Sequence, residues 1–435
     1  MYAYTMEVVG MSMIHEQAKE MKRISPAMAN LPVEVRNKIL LAIHDALINN
    51  KERIFEANAI DLKKAEEDKL DPPVIKRLKF SEEKLKDVTG GLRGLVKLPD
   101  PLYATQLERE LDEGLVLVRK TCAIGVIGVI FESRPDALVQ IAGLCIKSGN
   151  AAILKGGSEA LNSNRVIFEV MYEAAVKAGL PENALFLAQA RSEIADLLEC
   201  HQYVDLLIPR GSNAFVQYIM SNTKIPVMGH ADGICHVYAD KDADIDTAVK
   251  VIVDSKTQYV SVCNATETLL VNRSIAGKLL PVLNEELLKK NVTILGTREV
   301  MDIIACGEAS EEDWATEYLD YKISIKLVDG VDEAIEHINR YGSHHTDCIV
   351  TTNDETADHF MRYVDSAGVY RNCSTRFADG FRYGFGAEVG VSTGKLHARG
   401  PVGLEGLVTY KYMLTGQGHI VADFAEGRKT FIHDR

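Results

Sequence analysis

The chain has 435 residues, 46% of them hydrophobic and 26% charged, with a formal net charge of −13. This length exceeds one ordinary core and predicts two or three domains. The acidic excess argues against a general binder of nucleic acid or anionic membranes, and no apolar run is long enough to cross a bilayer. The opening residues lack the basic and apolar regions of a secretory signal, and the eight scattered cysteines include no CxxC pair. We therefore expect a reduced, cytoplasmic protein with no metal site.

In the first hundred residues, apolar side chains recur every three or four positions. Over residues 36–68 this spacing continues without Pro or Gly and predicts a helix. A second helical pattern covers residues 83–96 and ends at the breaker sequence LPDPL. The chain therefore begins with a helical segment.

After residue 114 the periodicity becomes that of alternating strands and helices. The predicted strands lie at 115–120, 123–131, 151–155, 184–187 and 204–209, and the predicted helices lie at 136–147, at 161–178 and in a segment ending near His201. The first of these strands alternates, whereas the buried strands that follow are continuously apolar and predict a parallel sheet covered by helices on both faces. A second alternating block extends from His236 to about Arg382. The glycine-rich residues 384–407 predict a loop, and residues 407–414 predict a last strand.

Two loops place glycine just after a buried strand and just before a helix. They are LKGGSEA (154–160) and IPRGSNA (208–214). Such positions offer backbone N–H groups to phosphates. Neither loop is a GxGxxG or Walker sequence, however, so ordinary strand-to-helix turns explain them equally well.

Cys263 stands in TQYVSVCNATETLLV, immediately before an apolar run that predicts a strand. Thiol catalysis requires a lowered pKa and hydrogen-bond donors for an oxyanion. The sequence shows neither directly. From the residues alone, a packing cysteine and a nucleophile both remain open.

A characteristic order of segments favours the nucleophile over the packing cysteine. The segments are SGNAAILK, IPRGSNA, HADGICHVYADKDADIDTAV, VCNATETLLV and WATEYLDYKISIKLVDGVDEAIEHINRYGS. Together they resemble the aldehyde dehydrogenase superfamily and, within it, the family of reductases that act on gamma-glutamyl phosphate. The resemblance covers most of residues 30–420. It implies an α/β fold with a parallel-sheet cofactor domain, an α/β catalytic domain and a small β oligomerisation flap.

The resemblance also implies domain boundaries. The implied divisions are an NADP(H)-binding domain of residues 1–101 and 121–234, a catalytic domain of residues 235–404, and oligomerisation strands at 102–120 and 405–425. The predicted strands 115–120 and 407–414 would expose their edges in a monomer. We therefore expect at least a homodimer.

Several site residues follow from the resemblance. It implies that Cys263 is the nucleophile, that Lys155 reaches the adenosine ribose of the cofactor, and that Glu317 binds the nicotinamide ribose. Gly211 and Ser212 open the helix that borders the pyrophosphate.

Ser158 occupies the position at which NAD-preferring relatives often hold a glutamate. A small neutral residue leaves room for a 2′-phosphate that Lys155 neutralises, which favours NADP(H). Glu159 argues in the opposite direction, since a carboxylate facing that phosphate would repel it.

Two segments depart from the oxidising members of the superfamily. HADG (230–233) lacks their water-activating glutamate, and ESRP (132–135) stands near the position of their oxyanion asparagine. Without that base, an acyl-enzyme is suited to receive hydride instead of water. The candidate oxyanion donors are the backbone N–H of Cys263 and the side chain of Asn264.

The substrate that the resemblance implies is doubly anionic and requires cationic partners. Arg134, Arg376 and Ser133 are the candidate binding residues. Further candidates are His230, His397 and Arg399.

The implied reaction is NADPH-dependent reduction of gamma-glutamyl phosphate to glutamate 5-semialdehyde through a Cys263 thioester, the second step of proline biosynthesis. The chain has no room for a glutamate kinase domain, so we expect the labile substrate to come from a separate glutamate 5-kinase. Two alternatives remain at this point: an aldehyde dehydrogenase that oxidises another semialdehyde, and a binding protein that kept the fold without the chemistry.

Overall fold

The structure is a computed structural model, and it describes residues 13–190, 193–229 and 232–434. The opening twelve residues and His230, on which two of the sequence predictions rest, lie outside the described residues. The described chain begins with the helices α1 (Met13–Ala29), α2 (Val33–Asn49), α3 (Lys51–Glu67), α4 (Pro72–Leu78) and α5 (Glu82–Lys97).

The single helix predicted over residues 36–68 is divided at Asn50. This residue has φ −112° and ψ 18°, and it separates α2 from α3. Its side-chain amide donates to the carbonyl of Ala46 at 2.8 Å. An asparagine that bonds the backbone in this way competes with helix propagation, which explains a break where the sequence has no Pro or Gly.

The first sheet is parallel and has the strand order β5-β4-β3-β6. Its elements are β3 (Val126–Phe131), α6 (Pro135–Lys147), β4 (Ala151–Gly156), α7 (Leu161–Ala178), β5 (Leu185–Ala188), α8 (Glu193–Glu199), β6 (Leu206–Arg210) and α9 (Asn213–Ser221). Every residue of β3 and β4 is buried. Alternate residues of β3 enter two different apolar clusters, with Val129 on one face and Ile130 on the other. The predicted parallel sheet with two covered faces is therefore confirmed.

The strand predicted over 123–131 is interrupted by Gly125. Its φ is +131°, a conformation that favours glycine, and a Cβ there would lie 2.2 Å from Oδ2 of Asp205. That carboxylate instead accepts the backbone N–H of Val126 at 2.9 Å. The chain therefore leaves one sheet at Ala123 and enters another at Val126.

The second sheet is also parallel and has seven strands in the order β10-β9-β11-β8-β7-β12-β13. Its elements are β7 (Cys235–Ala239), α10 (Ile245–Thr257), β8 (Thr266–Asn272), α11 (Arg273–Lys289), β9 (Thr293–Gly296), α12 (Arg298–Met301), β10 (Gly307–Glu308), β11 (Lys322–Val328), α13 (Val331–Tyr341), β12 (Thr346–Val350), α14 (Asp354–Tyr363) and β13 (Gly368–Arg371). The central strands β7 and β8 are buried throughout.

A third sheet is antiparallel, with the order β1-β2-β16. Its strands are β1 (Thr105–Asp112), β2 (Leu115–Ala123) and β16 (Val408–Thr415). The sequence predicted β2 and β16 but not β1, whose residues TQLERELD are mostly exposed and show no apolar alternation. Residues 105–112 therefore form a strand because they pair with β2. On the edge strand β16, Tyr410, Tyr412 and Leu414 are exposed.

The glycine-rich residues 384–407 are mostly loop but contain a short hairpin. It pairs β14 (Gly390–Ser392) with β15 (Gly400–Val402), and one further helix, α15 (Val421–Ala425), follows β16. Within the described ranges, none of the helices combines the length and the apolar character needed to cross a membrane. The domain boundaries given above stay a prediction.

A buried aromatic cluster surrounds His337 on α13. The imidazole packs edge-on against the rings of Trp314 and His236 and lies 4.7 Å from the ring centroid of Tyr341. Neither ring nitrogen has a hydrogen-bond partner among the described residues. Burial lowers the pKa of His337 to about 3, and His236 and Lys326 act in the same direction. The native state therefore holds this imidazole neutral.

We predict that His337 makes the protein lose stability as the pH falls below 6.5. Because its native pKa lies below the unfolded value of 6.5, the unfolded chain binds the extra proton first. In this window the group contributes a slope of about 1.4 kcal/mol per pH unit. Urea unfolding of wild type and His337→Phe between pH 7 and pH 5 measures it. Equal slopes for the two proteins would contradict the prediction.

Candidate active site

Cys263 lies in the loop between α10 and β8 and is partly exposed. Its main chain packs directly against Gly233, where an added Cβ would lie 2.2 Å from the Cys263 carbonyl oxygen and 2.3 Å from its Cα. No side chain fits in that space. Position 233, the last residue of HADG, therefore requires glycine, because any side chain there would collide with Cys263.

The main chain of Cys263 and Asn264 is fixed by side chains from neighbouring elements. The Cys235 thiol donates to the Cys263 carbonyl at 3.2 Å, and the Thr375 hydroxyl donates to the Asn264 carbonyl at 2.7 Å. The Asn264 side-chain amide is buried and donates to the carbonyl of Ala378 at 2.8 Å. Donation from this side chain to an oxyanion would therefore use its second amide proton.

Arg376, a candidate for binding the substrate, interacts electrostatically with the cysteine. It is 8% exposed, belongs to a short 3-10 helix (Thr375–Phe377), and donates from Nε to the side-chain oxygen of Gln258 at 3.0 Å. Burial lowers the pKa of Arg376, Arg382 adds to this effect, and the charge of Cys263 opposes it. The guanidinium is thus within electrostatic range of the sulfur.

Arg210, the last residue of β6, was not among the sequence candidates. Burial lowers its pKa, Arg134 adds to this effect, and Glu388 and Cys263 oppose it. Arg210 therefore interacts electrostatically with both the predicted Arg134 and the nucleophile. The sequence could have indicated this residue, because Arg210 ends an apolar strand inside IPRGSNA, a loop that its glycine already made a candidate phosphate site.

Arg134 precedes α6 and remains half-exposed. Its guanidinium lies 3.6 Å from the buried carboxylate of Asp136, which also receives the ammonium of Lys84 at 3.0 Å. Since the carboxylate already has a closer partner, Arg134 is only loosely paired.

Ser133 and Glu159 are bonded to each other. The backbone N–H and the hydroxyl of Ser133 both donate to Oε1 of Glu159, at 2.5 and 2.8 Å. The hydroxyl proton of Ser133 is therefore engaged within the protein instead of being directed at a substrate. The Glu159 carboxylate, which the sequence set against a 2′-phosphate, also has a partner.

The remaining candidates are held elsewhere. The imidazole of His397 lies 3.1 Å from the carbonyls of Glu405 and Val408, and Arg399 donates to Asp365. Neither residue is joined to Cys263 by a bond in the described part of the chain.

The predicted cofactor residues lie where the strands of the first sheet end. Lys155, near the end of β4, is buried, and its ammonium donates to the carbonyl of Gly156 at 2.6 Å. Burial lowers the pKa of Lys155, which Glu193 and Glu159 oppose. Ser158 follows in an exposed 3-10 turn without a charge of its own.

The N-terminus of α9 already holds an anionic oxygen. The backbone N–H of Ser212 donates to the carboxylate of Glu132 at 3.1 Å, and Gly211 has no side chain to block this approach. Such a helix start is suited to a phosphate group.

Glu317 comes to the same place from the second sheet. The side-chain amide of Asn213 donates to Glu317 at 2.8 Å and to Asp232 at 2.6 Å. A cation at Lys155, an anion position at Ser212 and a carboxylate at Glu317 together fit a nicotinamide dinucleotide.

A fully buried ion pair flanks the nucleophile loop. Lys256, at the end of α10, donates to Glu267 on β8 at 2.5 Å, and both side chains are 0% exposed. Burial raises the pKa of Glu267 to about 7 and lowers that of Lys256, and each partner opposes the effect on the other. The ion pair joins the helix that precedes the nucleophile loop to the strand that follows it.

We predict that Lys256→Met destabilises the protein by about 3–5 kcal/mol, because it leaves the Glu267 carboxylate buried without its cation. The double variant Lys256→Met/Glu267→Leu is the matched control. It removes both charges, and its free energy of unfolding should fall less than that of the single variant. Urea titration measures both. A single variant as stable as wild type would refute the prediction.

Comparisons with known proteins bear on the family and the fold. The model of the aldehyde dehydrogenase family matches residues 4–300. A gamma-glutamyl phosphate reductase of Ruminiclostridium cellulolyticum is 59% identical over 411 residues, covering 94% of this chain and 95% of the relative. The crystal structure of the Thermotoga maritima gamma-glutamyl phosphate reductase superposes with a TM-score of 0.92 at 38% identity, covering 94% of this chain and 100% of that one.

A more distant structure shares the fold alone. It is an engineered glycolyl-CoA reductase with bound NADP+, with a TM-score of 0.64, 15% identity, and coverage of 92% of this chain and 96% of that one. The site and the fold thus define an oxidoreductase of the aldehyde dehydrogenase class. Within that class, the chain belongs to the gamma-glutamyl phosphate reductase family.

Proposed function

We propose that the chain reduces gamma-glutamyl phosphate to glutamate 5-semialdehyde with NADPH and releases phosphate, the second step of proline biosynthesis. The observation that carries this proposal is a nucleophile that interacts electrostatically with two cations. The cations are the guanidinium groups of Arg376 and Arg210, and the nucleophile is Cys263, in a chain whose close relatives are reductases of this name.

The first step is attack of the Cys263 thiolate on the acyl carbon. A sulfur–carbon bond forms, the carbon–oxygen bond to phosphate breaks, and the electron pair leaves with the phosphate. The arginines coupled to the sulfur offset the negative charge of the substrate. Phosphate is a good leaving group, so the step needs no strong general acid.

When bound, NADPH supplies the hydride that reduces the resulting thioester. We assign stabilisation of the oxyanion to the backbone N–H of Cys263 and the second amide proton of Asn264, two residues that contacts with Gly233 and Ala378 hold in place. Collapse of this intermediate releases the aldehyde and restores the thiolate.

The absence of a glutamate in HADG supports reduction over hydrolysis. The carboxylate that this segment does contain, Asp232, accepts a hydrogen bond from Asn213. A thioester protected from activated water survives until hydride arrives.

We predict phosphate-dependent turnover in the reverse direction. Purified protein, glutamate 5-semialdehyde, phosphate and NADP should yield reduced cofactor, measured by its absorbance. Cys263→Ala should abolish this signal, whereas the matched variant Cys306→Ala, a partly exposed thiol in another part of the second sheet, should retain it. Turnover without phosphate would instead indicate an oxidising aldehyde dehydrogenase, and no turnover would favour a non-catalytic protein.

The preference for NADPH is proposed from Ser158 and Lys155. A neutral residue beside a buried ammonium favours a 2′-phosphate, and Glu159 is engaged by Ser133. We predict that Ser158→Glu raises the KM for NADPH about tenfold or more through charge repulsion, with little change for NADH. Steady-state kinetics with both cofactors measures this, and Ser158→Ala is the control. An equal effect on both cofactors would contradict the assignment.

The edge strand β16 supports a homo-oligomer. Its exposed Tyr410, Tyr412 and Leu414 leave an unpaired apolar edge in a single subunit. Light scattering of the purified protein should give at least the mass of a dimer, and a monomer at all concentrations would refute this.

A further inference from the structure

We infer that Arg210 is a catalytic residue that holds the phosphate group of the acyl phosphate while Cys263 displaces it. This inference rests on the proposed function and names the group that binds the leaving phosphate. Neither the resemblance nor the relatives' names assign any role to this arginine.

The first argument is position. Arg210 ends β6 directly beside Phe131, the last residue of β3, and its carbonyl accepts the N–H of Glu132 at 3.1 Å. Two residues later the N–H of Ser212 holds an anionic oxygen. Arg210 therefore projects from the edge of the sheet at which backbone donors already favour anions.

The second argument is the free state of its donors. In residues 13–190, 193–229 and 232–434, the Arg210 guanidinium has no hydrogen-bond or ion-pair partner, whereas Arg376 is bonded to Gln258 and Arg399 to Asp365. A partly buried cation without a bonded counter-ion is costly. The N–H donors of this guanidinium are therefore open to an incoming anion.

The third argument is the surrounding charge and space. The side chain of Arg210 passes Gly390, where an added Cβ would be 3.9 Å from its Cδ and 4.0 Å from Nη1. The other cation that acts on Arg210 is Arg134, and the anions that act on it are Glu388, Cys263 and Asp136. Glu388 already accepts the N–H of Gly380 at 2.9 Å. Asp136 likewise already receives the ammonium of Lys84 at 3.0 Å, so two arginines beside these engaged carboxylates suit a doubly charged phosphate.

The assignment of the two ends of the substrate follows. Arg376 has its Nε engaged and presents only its remaining donors, which suits a singly charged carboxylate. Arg210 presents its whole fork and has Arg134 beside it, which suits phosphate. As the carbon–oxygen bond breaks, negative charge grows on the phosphate oxygen, and Arg210 stabilises this charge.

The test uses the full chain and the reverse reaction. Arg210→Met should raise the KM for inorganic phosphate about 10- to 100-fold and lower kcat, leaving the KM for NADP unchanged within about threefold. Arg210→Lys should fall between wild type and Arg210→Met, since it keeps the charge without the fork. The exposed Arg298→Met is the control and should behave as wild type.

A second readout needs neither substrate nor cofactor. Anionic iodoacetate and neutral iodoacetamide both alkylate Cys263, and nearby cations favour the anionic reagent. Arg210→Met should lower the ratio of the two alkylation rates by about threefold or more, whereas Arg298→Met should not. If wild type shows no phosphate-dependent turnover, the proposed function fails, and this ratio still tests whether Arg210 acts on anions at the cysteine.

Three results would overturn the inference. One is an unchanged KM for phosphate in Arg210→Met with an unchanged alkylation ratio. Another is a KM that rises for NADP instead of phosphate, which would make Arg210 an anchor for the cofactor. If Arg210→Met does not fold, wild-type kinetics in the folded Arg210→Lys variant would equally contradict a role for the guanidinium fork.

Discussion

The buried ion pair of Lys256 and Glu267 constrains the loop on which the rest of the site depends. One charge ends α10 and the other lies in β8, so the loop carrying Cys263 is fixed at both of its ends inside the second sheet. Desolvating two charges is expensive, and only their close contact offsets that cost. A loop attached in this way has few alternative positions, and Gly233 closes the remaining space behind the sulfur.

The site is shared between two sheets. The second sheet provides the nucleophile and Glu317, and the first provides Lys155, Arg210 and the start of α9. Asn213 connects the two halves, since its side-chain amide on α9 donates a hydrogen bond to Glu317, which precedes β11 of the second sheet. In the first sheet these residues lie at the carboxyl ends of parallel strands, whereas Cys263 and Glu317 precede β8 and β11 and lie at the amino ends of the second sheet.

The sequence predicted the buried strands and most of the helices, because continuous apolar runs and three- to four-residue periodicity are local signals. It missed features that depend on contacts between distant residues or on single side chains. Asn50 ends a helix through its own amide, and residues 105–112 become a strand only by pairing with β2. In the site, the motif positions came from resemblance, whereas Arg210 became visible only when folding placed it beside Cys263. The bond from Ser133 to Glu159 likewise joins residues 26 apart in the chain.

The carboxylate of Glu132 at the start of α9 has a kinetic consequence. The helix end is never bare, because the protein supplies its own anion when no other is present. A ligand phosphate that docks there exchanges one hydrogen-bonded anion for another, and its net affinity is the difference between the two. Such an exchange weakens binding but lowers the barrier to departure, since the returning carboxylate replaces each bond that the leaving group gives up. If the proposed cofactor binds there, a competitor built into the chain would speed its release in every cycle.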